Sequence, residues 1–220
     1  MGKIILYGIL LSPPVRAVLL TLHELDLEFE FVEVNPLKGE QYNEEYVKKN
    51  PQHTIPLLED DGQCISDSHA IIAYLCRKFG KTDSLYPKDF YKRAIVDNRL
   101  HFESGILFAR CLKGFRSTSE TLENKLKNIE EAYDFMEVFL ADSTHMAGNN
   151  LTIADLSILP SLSSLDLIVP VNSTKWPKLN SWLDLMKKLP YYEEVNVEGL
   201  RLIAEMLKPM LESMIAESKK

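Results

Sequence analysis

The sequence predicts two architectures in series: an α/β unit over residues 1–80 and an all-α helical bundle over residues 91–220, joined by a linker at 81–90. Three observations carry that prediction. Short apolar runs of strand length alternate with helical periodicity up to Gly80. The pair Asp61-Gly62 sits between two such runs, a strong hairpin signal. Past Phe90 the apolar residues recur at helical spacing, with no convincing strand.

Taken in order, Lys3 to Tyr7 reads as a buried strand and Pro13 to Leu25 as a helix with Val15, Val18, Leu19 and Leu22 on one face. Glu28 to Val34 reads as a strand, which completes a βαβ unit. Residues 35–52 are a long polar loop with a short helix near Gln41 to Lys49. Pro56 to Glu59 and Gln63 to Ile65 flank the hairpin turn, and a helix from Ser68 turns Ile71, Ile72 and Leu75 inward before stopping at Gly80. The order βαβ then ββα is that of a thioredoxin-like domain. Lys81 to Asp89 is a run of turn formers. Helices are expected over Tyr91 to Lys113, Ser119 to Ala141, Ile153 to Ile168, Trp176 to Lys188 and Gly199 to Glu217. The best-specified start is at Leu151, where Thr152 can cap, Asp155 can reach back and Leu151 can staple onto Leu156. The apolar stretch Leu151 to Val171 carries Asp155, Pro160 and Asp166, so it reads as a buried helix and not a membrane span.

Composition excludes several classes. A chain of 220 residues with 45% hydrophobic content can bury a full core. The net charge of −7, with no Lys/Arg cluster interleaved with aromatics, argues against a nucleic-acid partner. Cys64, Cys76 and Cys111 are odd in number and lack metal-ligand spacing, which points to a reducing compartment, the cytoplasm, and to no metal site. The apolar run Ile4 to Leu11 lacks a small-residue cleavage site, and Met1-Gly2 lacks the Ser or Thr at position 6 that myristoylation wants, so neither secretion nor a membrane anchor is expected.

Three polar loops, Leu11-Ser12-Pro13-Pro14, Gln52-His53-Thr54-Ile55-Pro56 and Ser66-Asp67-Ser68-His69, fall where apolar runs end or helical patterns begin. An open α/β sheet places its ligand crevice there. They offer a hydroxyl, an imidazole, the backbone around a proline and a carboxylate beside a helix start, an inventory suited to one zwitterionic, peptide-like molecule.

At this point a family resemblance enters. The segments Leu11 to Arg16, Lys49 to Pro56, Asp67 to Ile71, Leu85 to Lys88, Leu151 to Asp155 and Leu189 to Tyr192, in this order, resemble those of cytosolic glutathione transferases, nearest the insect delta and epsilon classes with epsilon favoured. The resemblance implies a thioredoxin-like domain that holds glutathione as co-substrate, a helical domain that holds a hydrophobic electrophile, and a homodimer. It implies that Ser12 is the catalytic group, a hydrogen-bond donor to the glutathione sulfur with no covalent intermediate; on spacing alone Ser12 is equally a helix cap. Tyr7 lies where other classes use a tyrosine, and the competing reading is an aromatic packed under the first helix. With serine at position 12 and no Cys-x-x-Cys, thiol-disulfide chemistry is not expected.

The resemblance assigns glutathione to Asp67 for the ammonium, to Ser68 and the following helix start with His69 for the γ-glutamyl carboxylate, to Thr54, Ile55 and Pro56 for the cysteinyl backbone, to His53 for the glycyl end or the sulfur, and to Gln41 for the glycyl end. The Ile55-Pro56 peptide is expected to be cis. Gln41 departs from the pattern, since epsilon members commonly carry histidine nearby. The stretch Phe115 to Leu126 is another departure, shorter than usual. For the electrophile, Phe108, Leu112 and Phe115 share a helical face continuing from Ser104 and Gly105, and with Leu11, Pro13 and Leu207 they form a candidate apolar pocket; ordinary core packing is the competing reading. The expected activity is conjugation of glutathione to hydrophobic electrophiles in detoxification, with dehydrohalogenation or peroxide reduction as related outcomes. A glutathione-binding carrier and a dedicated steroid- or hormone-pathway transferase are the alternatives.

Overall fold

A four-stranded sheet in the order β2-β1-β3-β4 organises the first part of the chain. The structure, a computed structural model, describes residues 2–113 and 120–218; the side chains of 110–113 and 210–218 lie outside that description. Strand β1 (Ile4–Gly8) runs parallel to β2 (Glu30–Glu33) and antiparallel to β3 (Leu57–Asp60), which pairs antiparallel with β4 (Gln63–Ser66). The parallel pair needs a crossover, supplied by helix α1 (Pro13–Glu24). Asp60 pairs with Gln63, so the hairpin turns on Asp61-Gly62, both at positive φ (50° and 79°), as a type I′ turn requires.

Alternation along β1 decides what each face holds. Ile4 and Leu6 are buried in the core shared with α1 and α3 (Ser68–Phe79), and a Cβ on Gly8 would lie 2.6 Å from a Val15 methyl, so α1 sits close on the strand. Ile5 and Tyr7 turn to the other face, where the short α2 (Glu44–Lys49) brings Tyr46 over Val34 and Leu57. This corrects the placement of Tyr7 under the first helix: a period of two puts it on the opposite side of the sheet.

The second part is helical among the described residues. Helix α4 (Phe90–Phe102) continues as a wider π-helical stretch, Glu103–Lys113; then come α5 (Leu122–Phe139), α6 (Ile153–Asp166), α7 (Pro177–Met186), a π turn at Glu193–Val197, and α8 (Glu198–Ser218). One regular helix was expected from Tyr91 to Lys113. Two residues account for the change: the Ser104 hydroxyl donates back to the carbonyls of Leu100 (3.3 Å) and His101 (3.4 Å), competing with the backbone ladder, and Gly105 is a weak helix former. Of the stretch Phe115 to Leu126, residues 115–119 lie outside the described residues, and α5 begins at Leu122.

Helix α6 is the axis of the molecule, buried at every residue from Ile153 to Leu165. Its start has the expected capping box: Thr152 Oγ1 accepts from Ala154 N, and Asp155 Oδ2 accepts from Thr152 N at 2.9 Å. Asp155 also accepts from Met146 N and Trp182 Nε1 (2.8 and 2.9 Å), tying the preceding loop and α7 to that cap. Helix α1 packs against α6, and this second contact explains why α1 is buried at every position from Val15 to Leu22. Between Phe79 and Phe90 there is neither helix nor strand, but Leu85 is buried and its carbonyl accepts from Ile153 N at 3.0 Å. No described helix is long and apolar enough to cross a membrane.

Candidate active site

The start of α1 is the chemically distinctive point of the fold. Ser12 stands at the N-cap with extended backbone (φ −87°, ψ 116°), yet its side chain caps nothing. The residues after it explain this. A cap hydroxyl accepts from the N–H at the second or third helical position, and here the first two positions are Pro13 and Pro14, the second of which removes one of those two donors outright. Ser12 is fixed instead through its backbone, N–H to Ile9 O at 3.0 Å and C=O from Arg16 N at 3.1 Å. Ser12 is half-exposed, and among the described residues its hydroxyl makes no hydrogen bond at the positive end of the helix. Leu11 and Pro13 flank it, both half-buried.

The second loop is held from behind. Asn50, almost wholly buried, donates through Nδ2 to Thr54 O (2.8 Å) and Thr54 Oγ1 (3.2 Å), and Tyr46 Oη donates to Thr54 O at 2.6 Å. The Ile55-Pro56 peptide is cis, and among the described residues no hydrogen bond engages the Ile55 N–H or C=O. His53 is exposed at φ 44° with its ring 4.9 Å from that of Tyr42. Gln41, in the short 3-10 turn before Tyr42, is buried, and its Oε1 has no partner.

At α3 the Asp67 carboxylate uses one oxygen, Oδ1, to accept from His69 N (2.9 Å) and Ala70 N (3.1 Å). Asp67 is thus a helix cap, and it holds φ at 75°, a region that disfavours any residue with a Cβ. Oδ2 and the backbone N–H of Ser68 make no hydrogen bond among the described residues. The His69 ring points elsewhere: Nε2 lies 2.8 Å from Ser157 Oγ on α6 and 3.0 Å from Glu103 Oε2 at the start of the π-helical stretch. Glu103 also accepts from Ser161, so His69 joins the sheet domain to the helical one.

The rival hydroxyl, Tyr7, is occupied. It donates to Glu59 Oε2 (2.9 Å), accepts from Lys49 Nζ (2.7 Å), and burial pushes its pKa above the usual tyrosine value. Of the expected electrophile-pocket residues, Leu207 is buried on α8 and Phe108 is half-buried on the π-helical stretch. The wider π turn departs from the regular α spacing used to group Phe108 with Leu112; Leu107 is the buried apolar position among the residues whose side chains are described there, while Ser104 and Gly105 are exposed. The Leu112 side chain and all of Phe115 lie outside the described residues.

Sequence reasoning assigned no role to Arg16, which is fully buried one turn after Ser12. Its guanidinium donates to Ser164 Oγ (2.7 Å), to Asn196 Oδ1, and at 3.4 Å to the carbonyls of Asn196 and Pro160. Burial pushes its pKa down to about 9, which leaves it charged at neutral pH. It also missed Asn50 as the brace of the second loop, for which the only signal is an Asn directly after a short helix.

Comparison with known proteins decides the family. Residues 6–83 match the glutathione S-transferase N-terminal domain and residues 97–190 the glutathione S-transferase C-terminal domain. Glutathione S-transferase 1 of Manduca sexta is 43% identical, over 94% of this chain and 98% of that protein. The chain belongs to the glutathione S-transferase family. Among solved structures, an epsilon-class glutathione S-transferase from the housefly, Musca domestica, superposes with a TM-score of 0.90 at 49% identity, covering 94% of this chain and 98% of that one. A glutathione transferase homologue from Drosophila mojavensis with bound glutathione gives a TM-score of 0.90 at 52% identity, over 95% and 98% of the two chains. This glutathione transferase thus has the sheet, the helical domain and the loop order of insect enzymes of its family.

Proposed function

We propose that this glutathione transferase is of the serine type: Ser12 donates a hydrogen bond to the sulfur of bound glutathione and favours its thiolate. The observation that carries this is the N-cap hydroxyl left without a capping bond by the Pro13-Pro14 pair. A thiol with a pKa of about 8.5 is only a few per cent ionised at neutral pH. A hydrogen bond to a charged group contributes about 1.5–3 kcal/mol, or about one to two pKa units. Ser12 with the α1 dipole raises the thiolate fraction by roughly an order of magnitude on that scale. The thiol proton passes to water, the sulfur attacks the electrophilic carbon, the C–S bond forms, and the leaving group departs with its bonding pair.

In this reading residues 1–80 hold glutathione, 81–90 link, and 91–220 hold the electrophile. Asp67 Oδ2 takes the ligand ammonium, Ser68 and the α3 start take the γ-glutamyl carboxylate, the free backbone groups of Ile55 take the cysteinyl unit between Thr54 and Pro56, and His53 and Gln41 stand at the glycyl end. Leu11, Pro13, Phe108 and Leu207 are the proposed apolar lining. The His69 backbone N–H holds the Asp67 cap and its ring joins α3 to the helical part. The setting is a cytoplasmic homodimer that detoxifies hydrophobic electrophiles. Retention on glutathione resin with turnover of a chromogenic aryl halide tests the reading; retention without turnover supports a carrier instead.

A further inference from the structure

Arg16 is a buried cation without a counter-ion. None of its polar side-chain atoms reaches solvent, and among the described residues every partner it has is neutral: Ser164 Oγ, Asn196 Oδ1, and two carbonyls. Its Nε has no hydrogen-bond partner among the described residues. Taking a unit charge out of water without an opposite charge is costly, and an apolar side chain of similar volume fills such a space without that cost. Hydrogen bonding between α1, α6 and the Glu193–Val197 turn accounts for the donors of Arg16 but not for its charge.

The groups packed around it supply no anion. From α6 come Pro160, Ser163 and Ser164; the titratable neighbour is Tyr192, whose hydroxyl burial pushes up and keeps neutral. Asp166, at the end of α6, accepts from Val171 N at 2.7 Å and forms no ion pair with Arg16. Glu198, at the start of α8, is paired with Arg201 at 2.7 Å. The α8 side is closed by Gly199, where a Cβ would lie 2.6 Å from Arg16 Cδ and 2.5 Å from Leu10 O. On the Ser12 reading, a negative charge arises on the sulfur that Ser12 holds, one helical turn before Arg16 in the chain.

We propose that Arg16 is a positioning residue for this chemistry, a fixed buried positive charge behind Ser12 whose field favours the glutathione thiolate over the thiol. The proposal rests on the Ser12 reading. A unit charge roughly 10 Å away at an effective dielectric constant of about 20 lowers a thiol pKa by about one unit.

Asn196→Asp is the deciding variant. It puts a carboxylate where Oδ1 already accepts from Arg16, with the same shape; Ser163 Oγ, which accepts from Asn196 Nδ2 at 2.9 Å and donates to Leu159 O at 2.7 Å, gives up that carbonyl when it turns to donate to the new oxygen. The ultraviolet absorbance of the bound thiolate is titrated in wild type, Asn196→Asp, Arg16→Lys and Ser12→Ala, each saturated with glutathione. Expected is a folded Asn196→Asp protein, the new ion pair with Arg16 offsetting the lost Ser163 bond, with a thiol pKa about one unit higher, which lowers kcat/KM near neutral pH about tenfold and recovers in alkali. Arg16→Lys, which keeps the charge and loses bonds, is expected to be less stable with a thiol pKa near wild type. An unchanged thiol pKa in Asn196→Asp overturns the proposal. If Ser12→Ala alone shifts the titration, only the Arg16 inference fails; if Ser12→Ala shifts nothing, the Ser12 reading fails with it.

Discussion

At the level of single residues, the chemistry turns on whether a polar group is already spent. Ser12 is not: its hydroxyl makes no capping bond. Ser12→Ala is therefore expected to leave thermal stability almost unchanged, within about 0.5 kcal/mol, where loss of a working cap costs about 1 kcal/mol. Turnover is expected to fall about tenfold or more with glutathione affinity within a few-fold. Steady-state kinetics beside a melting curve check both, and Tyr7→Phe, which touches only Glu59 and Lys49, is expected to change turnover far less. Asp67 is half spent, with Oδ1 on two backbone N–H groups and Oδ2 open. Asp67→Asn keeps an oxygen for the cap and removes the charge, so calorimetric titration is expected to show glutathione affinity about tenfold weaker with little change in melting temperature. Full affinity in Asp67→Asn would make this residue a cap and nothing else.

At the level of elements, the sequence was legible where a local rule decides the outcome. The Asp61-Gly62 turn, the Thr152–Asp155 box, the start of α1 at Pro13 and the end of α3 before Gly80 each depend on a few neighbouring residues, and each is present. What was not legible depends on long-range packing. The α1 pattern showed one apolar face, and its second buried face, with Arg16 on it, exists only because α6 lies across it. The Tyr7 error has the same origin, because alternation says that a side chain changes face but not which helix covers each face. The π-helical stretch after Phe102 combines a hydroxyl that bonds backward with a glycine, and no periodicity rule announces it. The loop from Asn50 to Pro56 was read as ligand-facing without its brace. Removing that brace in Asn50→Ala takes two hydrogen bonds from Thr54 and is expected to cost about 1–3 kcal/mol. The expected kinetic effect is a several-fold higher KM for glutathione at nearly unchanged kcat, and the opposite split would show that the loop acts on the chemical step.

At the level of the whole molecule, the sheet part and the helical part meet along α1 and α6, so the helix that follows Ser12 and the helical part share one core. Assembly adds a further surface. Phe90 and Tyr91 are largely exposed at the start of α4, which suits cover by a second copy. Light scattering near neutral pH is expected to give twice the 25.2 kDa chain mass, and a fully active monomer at micromolar concentration would contradict it. The central claim, however, is that this fold ionises a bound thiol through the Ser12 hydroxyl. Its most direct test is the pH titration of thiolate absorbance for glutathione bound to wild type and to Ser12→Ala. The account predicts a wild-type midpoint below the free-thiol value of about 8.5 and a variant midpoint about one to two units higher than wild type; coincident titration curves for the two proteins would contradict it.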